Sequence, residues 1–324
     1  VKGLDYVVRR TGIALVTVFV AITLNFLLFR AVPGSAVTAL RCLHCTKQLK
    51  AALEQDLGLD KSLWQQYVIY LGNLAHGDLG TSFADRRPVW QNLKGPILNT
   101  LPMLIAGTVI SIAVGVTAGV VSAWRRGTRS DRLNTWAALA FYAMPTQWIG
   151  LLVVFYIALK WGLPVAGIRD PTLGILGEPS TWTVVMDRLR HLALPALTLG
   201  VGLYGEYALI VRSSMLETLG EDYVLTARAK GLGNWTIVWR HGLRNAMLPL
   251  VTLIALSFGY ILAGTIVIEE VFSYPGIGLA TIDAIDKRDY PVLQGAFLLL
   301  TLAVIFFNFV ADLLYAKLDP RVSA

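Results

Sequence analysis

The chain has 324 residues, of which 55% are hydrophobic and only 15% charged, with a net charge of +7 and a mean hydropathy of +0.60. Soluble domains carry about 25% charged residues, so this balance argues against a soluble domain and for an integral membrane protein. The basic excess does not indicate nucleic acid, because the cations gather in short connections between apolar runs.

Uncharged runs at residues 11–29, 97–124, 133–159, 245–268 and 290–311 each reach the roughly 20 residues that cross a ~30 Å hydrocarbon layer. A sixth run, residues 192–211, is interrupted only by Glu206. The expected fold is therefore all-α, with six transmembrane helices. The first run follows Arg9 and Arg10 and exceeds the roughly 7–15 residues of a signal-peptide core, which predicts a retained helix.

Residues 31–96 form the one connection long enough for a small cap. Helical stretches are predicted at 47–57 and 63–74, followed by "HGDLG" from His76 to Gly80. The same connection holds "CLHC", with Cys42 and Cys45 flanking Leu43 and His44. A metal site needs further ligands at workable spacing, and none is close. A tight local disulfide and free thiols are the readings left open.

Further along, Gly115 and Gly119 make a G-x-x-x-G pair in the second run, suited to close helix contact or to ordinary packing. Pro145 lies inside the third run and predicts a kink. The connection at 160–191 is rich in Gly and Pro and reads as irregular. Pro195, Pro249 and Pro291 fall near the starts of their runs, where a missing N–H has no consequence.

Glu206 is the clear ionisable group at membrane depth. It either lines a polar cavity that attracts a solute's amino group or pairs with a neighbouring helix or subunit. Residues 269–289 contain "SYPGIG", a turn signal; Tyr274, Pro275 and Gly276 shape an outer gate or simply make a turn. With six spans, the basic clusters at Arg9–Arg10, Arg125–Arg132, Arg212–Arg244 and Lys317–Arg321 fall on one side. The positive-inside rule makes that side, with both termini, cytoplasmic.

Phosphate-cradling G-x-x-x-x-G-K-[ST] and zinc-binding H-E-x-x-H patterns are lacking, and the four histidines are isolated. A non-catalytic conduit is the expectation, with energy supplied from elsewhere. An ion-coupled secondary carrier is the different-class alternative, and a membrane scaffold a more distant one.

The polar segment "EDYVLTARAKGLGNWTIVWRHGLRNAMLP" (Glu221–Pro249) interrupts this apolar chain. Asp222 is expected to cap a short helix, Arg228 and Lys230 to face its negative end, and Gly231 to stop it in a left-handed conformation. Asn234 is expected to cap a second helix. Thr226, Ala227 and Ala229 keep the first helix thin enough for a groove on another protein. A solvated loop with good caps is the bland alternative.

The segment resembles the coupling loop of ATP-binding-cassette importer permeases, in the dipeptide and oligopeptide version: D-Y-V-x-T-A-R-A-K-G-L at Asp222–Leu232, then H-x-L-R-N-A-x-x-P at His241–Pro249. The likeness extends to "GDLGTS" (Gly77–Ser82), "RSSMLE" (Arg212–Glu217), "EEVFSYPGIG" (Glu269–Gly278), "RDYPVLQG" (Arg288–Gly295) and "LDPR" (Leu318–Arg321). Departures occur at Pro33–Ala36, where the family often has "PGDP", and at Ala208–Val211, which lacks a common Arg.

The resemblance implies a type I importer permease fold. The first helix would occupy 1–31, an extracytoplasmic loop domain 32–96, a permease core 97–316 with its coupling loop at 221–245, and a cytoplasmic C-terminus 317–324. It implies a second similar permease, two cytoplasmic ATPases carrying the ATP and Mg, an extracytoplasmic solute-binding protein, and a peptide substrate. This chain would bind no cofactor. Asp222, Tyr223, Thr226, Ala227, Arg228, Ala229, Lys230, Gly231 and Leu232 would couple to an ATPase, with Ala227, Ala229 and Gly231 fitting its groove. Nickel or another small solute is the substrate alternative within the same family.

Overall fold

The computed structural model describes residues 2–31, 61–175 and 177–318. Every helix or strand among them is helical: α1 (Lys2–Ala31), α2 (Leu63–Ala75), α3 (Val89–Trp124), α4 (Arg129–Ala143), α5 (Thr146–Trp161), α6 (Thr181–Leu219), α7 (Asp222–Ala229), α8 (Leu243–Val271), α9 (Ile277–Lys287) and α10 (Tyr290–Leu318). A π-helical turn, Val154–Ala158, lies within α5, and a second, Ile237–Gly242, leads into α8.

α1, α3, α6 and α10 are each long and apolar enough to cross a membrane. α4 and α5 qualify only together, with a bend of 109° between them. α8 carries the uncharged run at 245–268. The expected kink at Pro145 is thus a full break. Proline disfavours helical backbone in the residue before it; Met144 is extended (φ −81°, ψ 130°), and Pro145 becomes the N-cap of α5.

Two proline expectations fail. α6 begins at Thr181, not near 192, so Pro195 lies well inside it; Pro249 likewise lies inside α8. Hydropathy marks only the part of a helix that needs an apolar surround. Ser180 caps α6 by accepting from Thr183 N at 3.2 Å, and the charged turns that follow extend the helix beyond its apolar run. The irregular part of the 160–191 connection is correspondingly shorter than expected. Pro291, the second residue of α10, behaves as expected.

α3 and α6 form the centre of the fold and run parallel in close contact. A Cβ at Gly115 would lie 2.8 Å from the Tyr207 Cβ, and one at Gly119 would lie 2.7 Å from both the Ala208 carbonyl oxygen and the Val211 Cβ. The G-x-x-x-G pair is therefore a backbone-approach site. The core at one end joins Met103, Leu104, Leu194 and Leu199 to Ile268 and Phe272; at the other end Tyr207, Val211 and Met215 meet Val238, Ala246 and Leu250. These pairings place α8 antiparallel to α6. α1 is antiparallel to α10: Arg10 pairs with Asp312 at 3.1 Å, and Asn25 Nδ2 donates to the Gln294 carbonyl at 3.3 Å.

Candidate coupling interface and Tyr274 turn

α7 is defined at both ends by local chemistry. Its N-cap is Glu221, in extended conformation, and Asp222 is the first helical residue; the predicted cap is displaced by one position. Asp222 still places its charge in the first turn, where it opposes the positive end of the helix. At the other end Gly231 has φ +76°, Gly231 N donates to the Arg228 carbonyl at 2.9 Å, and Leu232 N donates to the Ala227 carbonyl at 3.3 Å. This pair of bonds is a Schellman closure, which requires the left-handed residue that glycine supplies without a Cβ clash. Asn234 also misses its predicted cap role, since Gly233 is the N-cap there.

The two faces of α7 separate cleanly. Val224 and Ala227, three residues apart, are buried against Ile237 with Leu219 beside them. Ala227 is only 5% exposed, so it packs on the chain's own body and does not belong to an outward docking face. Asp222, Tyr223, Thr226, Arg228, Ala229, Lys230, Gly231 and Leu232 are exposed. The Tyr223 hydroxyl accepts from Asn245 Nδ2 at 2.7 Å and donates to the His241 carbonyl at 3.4 Å, binding α7 to the start of α8. Sequence reasoning missed Leu225 and Trp235, which add apolar surface beside this face. Trp235 is 74% exposed and meets Trp239 at a tilt of 42°, with ring centroids 5.2 Å apart. Their signal was an apolar residue in a polar connection.

A second missed element lies at the same end. Asp131 opens α4 and is 3% exposed. It accepts from Arg212 Nε at 2.7 Å, Arg212 Nη2 at 3.0 Å and Gly127 N at 2.9 Å. It precedes the uncharged run that begins at residue 133 and so lies outside the membrane-spanning part. The Arg212 guanidinium holds its carboxyl down at about 2.

At the opposite end, α8 closes into the "SYPGIG" turn. Tyr274 is buried; its N–H donates to the Glu269 carbonyl at 2.8 Å and its hydroxyl to the Asn99 carbonyl at 3.1 Å. Asn99 Nδ2 donates in return to the Pro275 carbonyl at 2.8 Å. Gly276 lies against the Glu269 carboxylate, where an added Cβ would collide. The turn then leads into α9, a helix that the sequence reading did not foresee.

Glu206 sits on α6 between these ends, half-buried, on the face shared with exposed Ser213 and Glu217 and away from buried Tyr207 and Val211. The predicted residues therefore form three separate places: α7, the Tyr274 turn, and Glu206 between them. Cys42 and Cys45 lie outside the described residues. Among the described residues no group of three His, Cys, Asp or Glu side chains is placed to hold a metal.

Residues 115–324 match the family described as "Binding-protein-dependent transport system inner membrane component", and residues 3–106 match its N-terminal companion. The chain belongs to this family. This inner membrane component is 39% identical, over 98% of both chains, to the dipeptide transport system permease protein DppB of Escherichia coli (strain K12). It is 41% identical, again over 98% of both, to the di/tripeptide transport system permease protein DppB of Pseudomonas aeruginosa (strain UCBPP-PA14). It is 36% identical, over 98% of this chain and 99% of the other, to the glutathione transport system permease protein GsiC of Escherichia coli (strain K12). α7, the Asp131–Arg212 pair and the Tyr274 turn all fall within the region matched by the larger family model.

Proposed function

We propose that this chain is the permease subunit of an ATP-driven importer that moves short peptides into the cytoplasm by alternating access. Six spans, with both termini cytoplasmic, accommodate α1, α3, the broken α4–α5 pair, α6, α8 and α10. Residues 32–96 make the extracytoplasmic loop, residues 97–316 the core with its coupling loop at 221–245, and residues 317–324 the cytoplasmic tail.

The observation that carries this reading is α7. It is a short helix capped at both ends, fastened by Val224, Ala227 and Tyr223 to the structure that links α6 with α8, and exposed on its other face. A push on such a helix is delivered directly to two long helices. Its cationic Arg228 and Lys230 and its small Ala229 suit a groove with acidic edges on an ATPase. ATP and Mg belong to a pair of such ATPases, and this chain carries no catalytic group.

A second, similar permease completes the pathway, and Glu206, half-buried on its face of α6, lines it. An extracytoplasmic binding protein delivers the peptide to the end that carries Tyr274, Pro275 and Gly276. Near-full-length identity to dipeptide, di/tripeptide and glutathione permeases supports short peptides as the substrate class. The test is uptake of labelled di- to pentapeptides by the reconstituted complex. ATP-dependent accumulation is expected; equal uptake without ATP, driven instead by an ion gradient, would replace the importer with a coupled carrier.

A further inference from the structure

α9 has no side-chain cap of its own: its N-cap is Gly276. The first N–H groups of a helix have no partner within it, yet those of Ile277, Gly278 and Leu279 are satisfied by other helices. Ile277 N donates to Thr100 Oγ1 of α3 at 3.0 Å, while Gly278 N and Leu279 N donate to Glu269 Oε2 of α8 at 2.7 and 3.0 Å. The two donor sets are joined, because Thr100 Oγ1 itself donates to Glu269 Oε1 at 2.6 Å. Glu269 has no exposed surface.

The glycines of "YPGIG" serve this approach. A Cβ at Gly276 or at Gly278 would collide with the Glu269 carboxylate or with the α8 backbone at Ile266. Gly276 itself has an ordinary extended backbone (φ −100°, ψ −175°), so it is the space beside the carboxylate, not the dihedral angle, that requires a glycine there.

The other end of α9 is bound in the same manner. Arg288 takes a left-handed conformation (φ 54°) and Asp289 N donates to the Ala284 carbonyl at 2.8 Å. The Asp289 carboxylate, 3% exposed, then accepts from Ser82 Oγ at 2.5 Å, Phe83 N at 3.0 Å and Ala84 N at 3.2 Å. These residues belong to the turn that leads into α3.

We propose that Glu269 and Thr100, with Asp289 at the far end, are positioning residues that make α9 part of a single body with the outer ends of α3 and α8, so that the outer gate opens by movement of that body and not by a hinged α9 lid. A hinge at the turn would strip several N–H groups and a buried carboxylate of their partners at once. Contact made on the exposed face of α9 is thereby passed to α3 and α8. This inference rests on the importer reading above.

The test uses the assembled transporter in nanodiscs, with Cys42 and Cys45 replaced by Ser and spin labels at Lys94→Cys on α3 and Lys287→Cys on α9, both exposed positions. One distance peak, unchanged between the nucleotide-free and vanadate-trapped states, is expected. A peak that moves between those states overturns the proposal.

Thr100→Val, which removes the hydroxyl that links Ile277 to Glu269, is expected to split or broaden the peak. It is also expected to raise ATPase activity without binding protein at least about fivefold, the lower end of ordinary coupling effects. Thr100→Ser, which keeps the hydroxyl, should restore both. Thr100→Val with wild-type distances and wild-type basal activity overturns the proposal as well. Glu269→Ala, which leaves the N–H groups of Gly278 and Leu279 without their acceptor, should behave as Thr100→Val; if it fails to assemble, the Thr100 pair still decides. Absence of binding-protein-stimulated ATPase in the unmutated complex would overturn the importer reading alone, since the nucleotide-free distances still judge the clamp.

Discussion

Arg212 grips Asp131 with two nitrogens, Nε to Oδ1 at 2.7 Å and Nη2 to Oδ2 at 3.0 Å, and so fastens the start of α4 to α6 two turns before α6 passes into α7. Gly127 N reaches the same carboxylate at 2.9 Å, which adds the α3–α4 connection to the joint. Any displacement of α7 that moves the end of α6 is shared with α3 and α4 at this point.

Asp131→Asn should lower stability by about 2 kcal/mol, the range for hydrogen bonds to a charged group, measured by thermal unfolding of the purified protein in detergent. The pH dependence follows from the carboxyl titrating at about 2 in the fold against 3.8 ordinarily. Its contribution is complete above about pH 4 and is lost as the pH falls through about 2. The gap between wild type and variant should therefore be full at neutral pH and close toward that lower value. A gap that stays constant across the window would mean that the pair adds nothing.

Ala227 and Ala229 are two residues apart and should respond in opposite ways. Ala227→Leu crowds the buried contact with Val224 and Ile237 and should cost about 1–3 kcal/mol, seen as a lower unfolding temperature. Ala229→Trp, on the exposed face, should leave unfolding unchanged while abolishing co-purification of the ATPase subunits. Retention of those subunits by Ala229→Trp would remove α7 from the docking interface.

Gly119→Ala tests the backbone approach between α3 and α6. The added methyl meets the Ala208 carbonyl and Val211 Cβ at 2.7 Å, so a loss of about 1–3 kcal/mol is expected from overpacking. Gly12→Ala, in α1 with nothing within 4 Å of its Cβ, should instead be neutral or raise stability by up to about 1 kcal/mol. The comparison is read from paired thermal unfolding curves.

Glu206→Gln separates pathway from packing. Removal of the charge should reduce peptide uptake about tenfold, as expected for a lost charge-assisted contact of roughly 1.4 kcal/mol, and should flatten the pH dependence of uptake, with unfolding unchanged. Uptake and pH profile identical to wild type would eliminate Glu206 as a pathway residue.

Sequence alone located the middle of each long helix and the limits of α7 to within a residue, because hydropathy and capping are properties of neighbours along the chain. The Gly231 stop required nothing beyond the identity of that residue and its place after Lys230. Helix ends beyond the apolar runs were less legible: the start of α6 at Thr181 depends on charged turns that carry no hydropathy signal, and this is why Pro195 was placed near a helix start.

What the tertiary structure decided is direction and partnership. Ala227 and Ala229 are the same residue type in the same helix, and only Ile237, ten residues after Ala227, determines that one faces inward. Glu269 and Thr100 are far apart in sequence and show no pattern that marks them as the joint cap of a third helix. A buried hydrogen bond is chosen by whichever groups the packing of α3, α8 and α9 brings within reach. That choice is made by contacts between helices, to which a reading confined to each stretch of chain has no access.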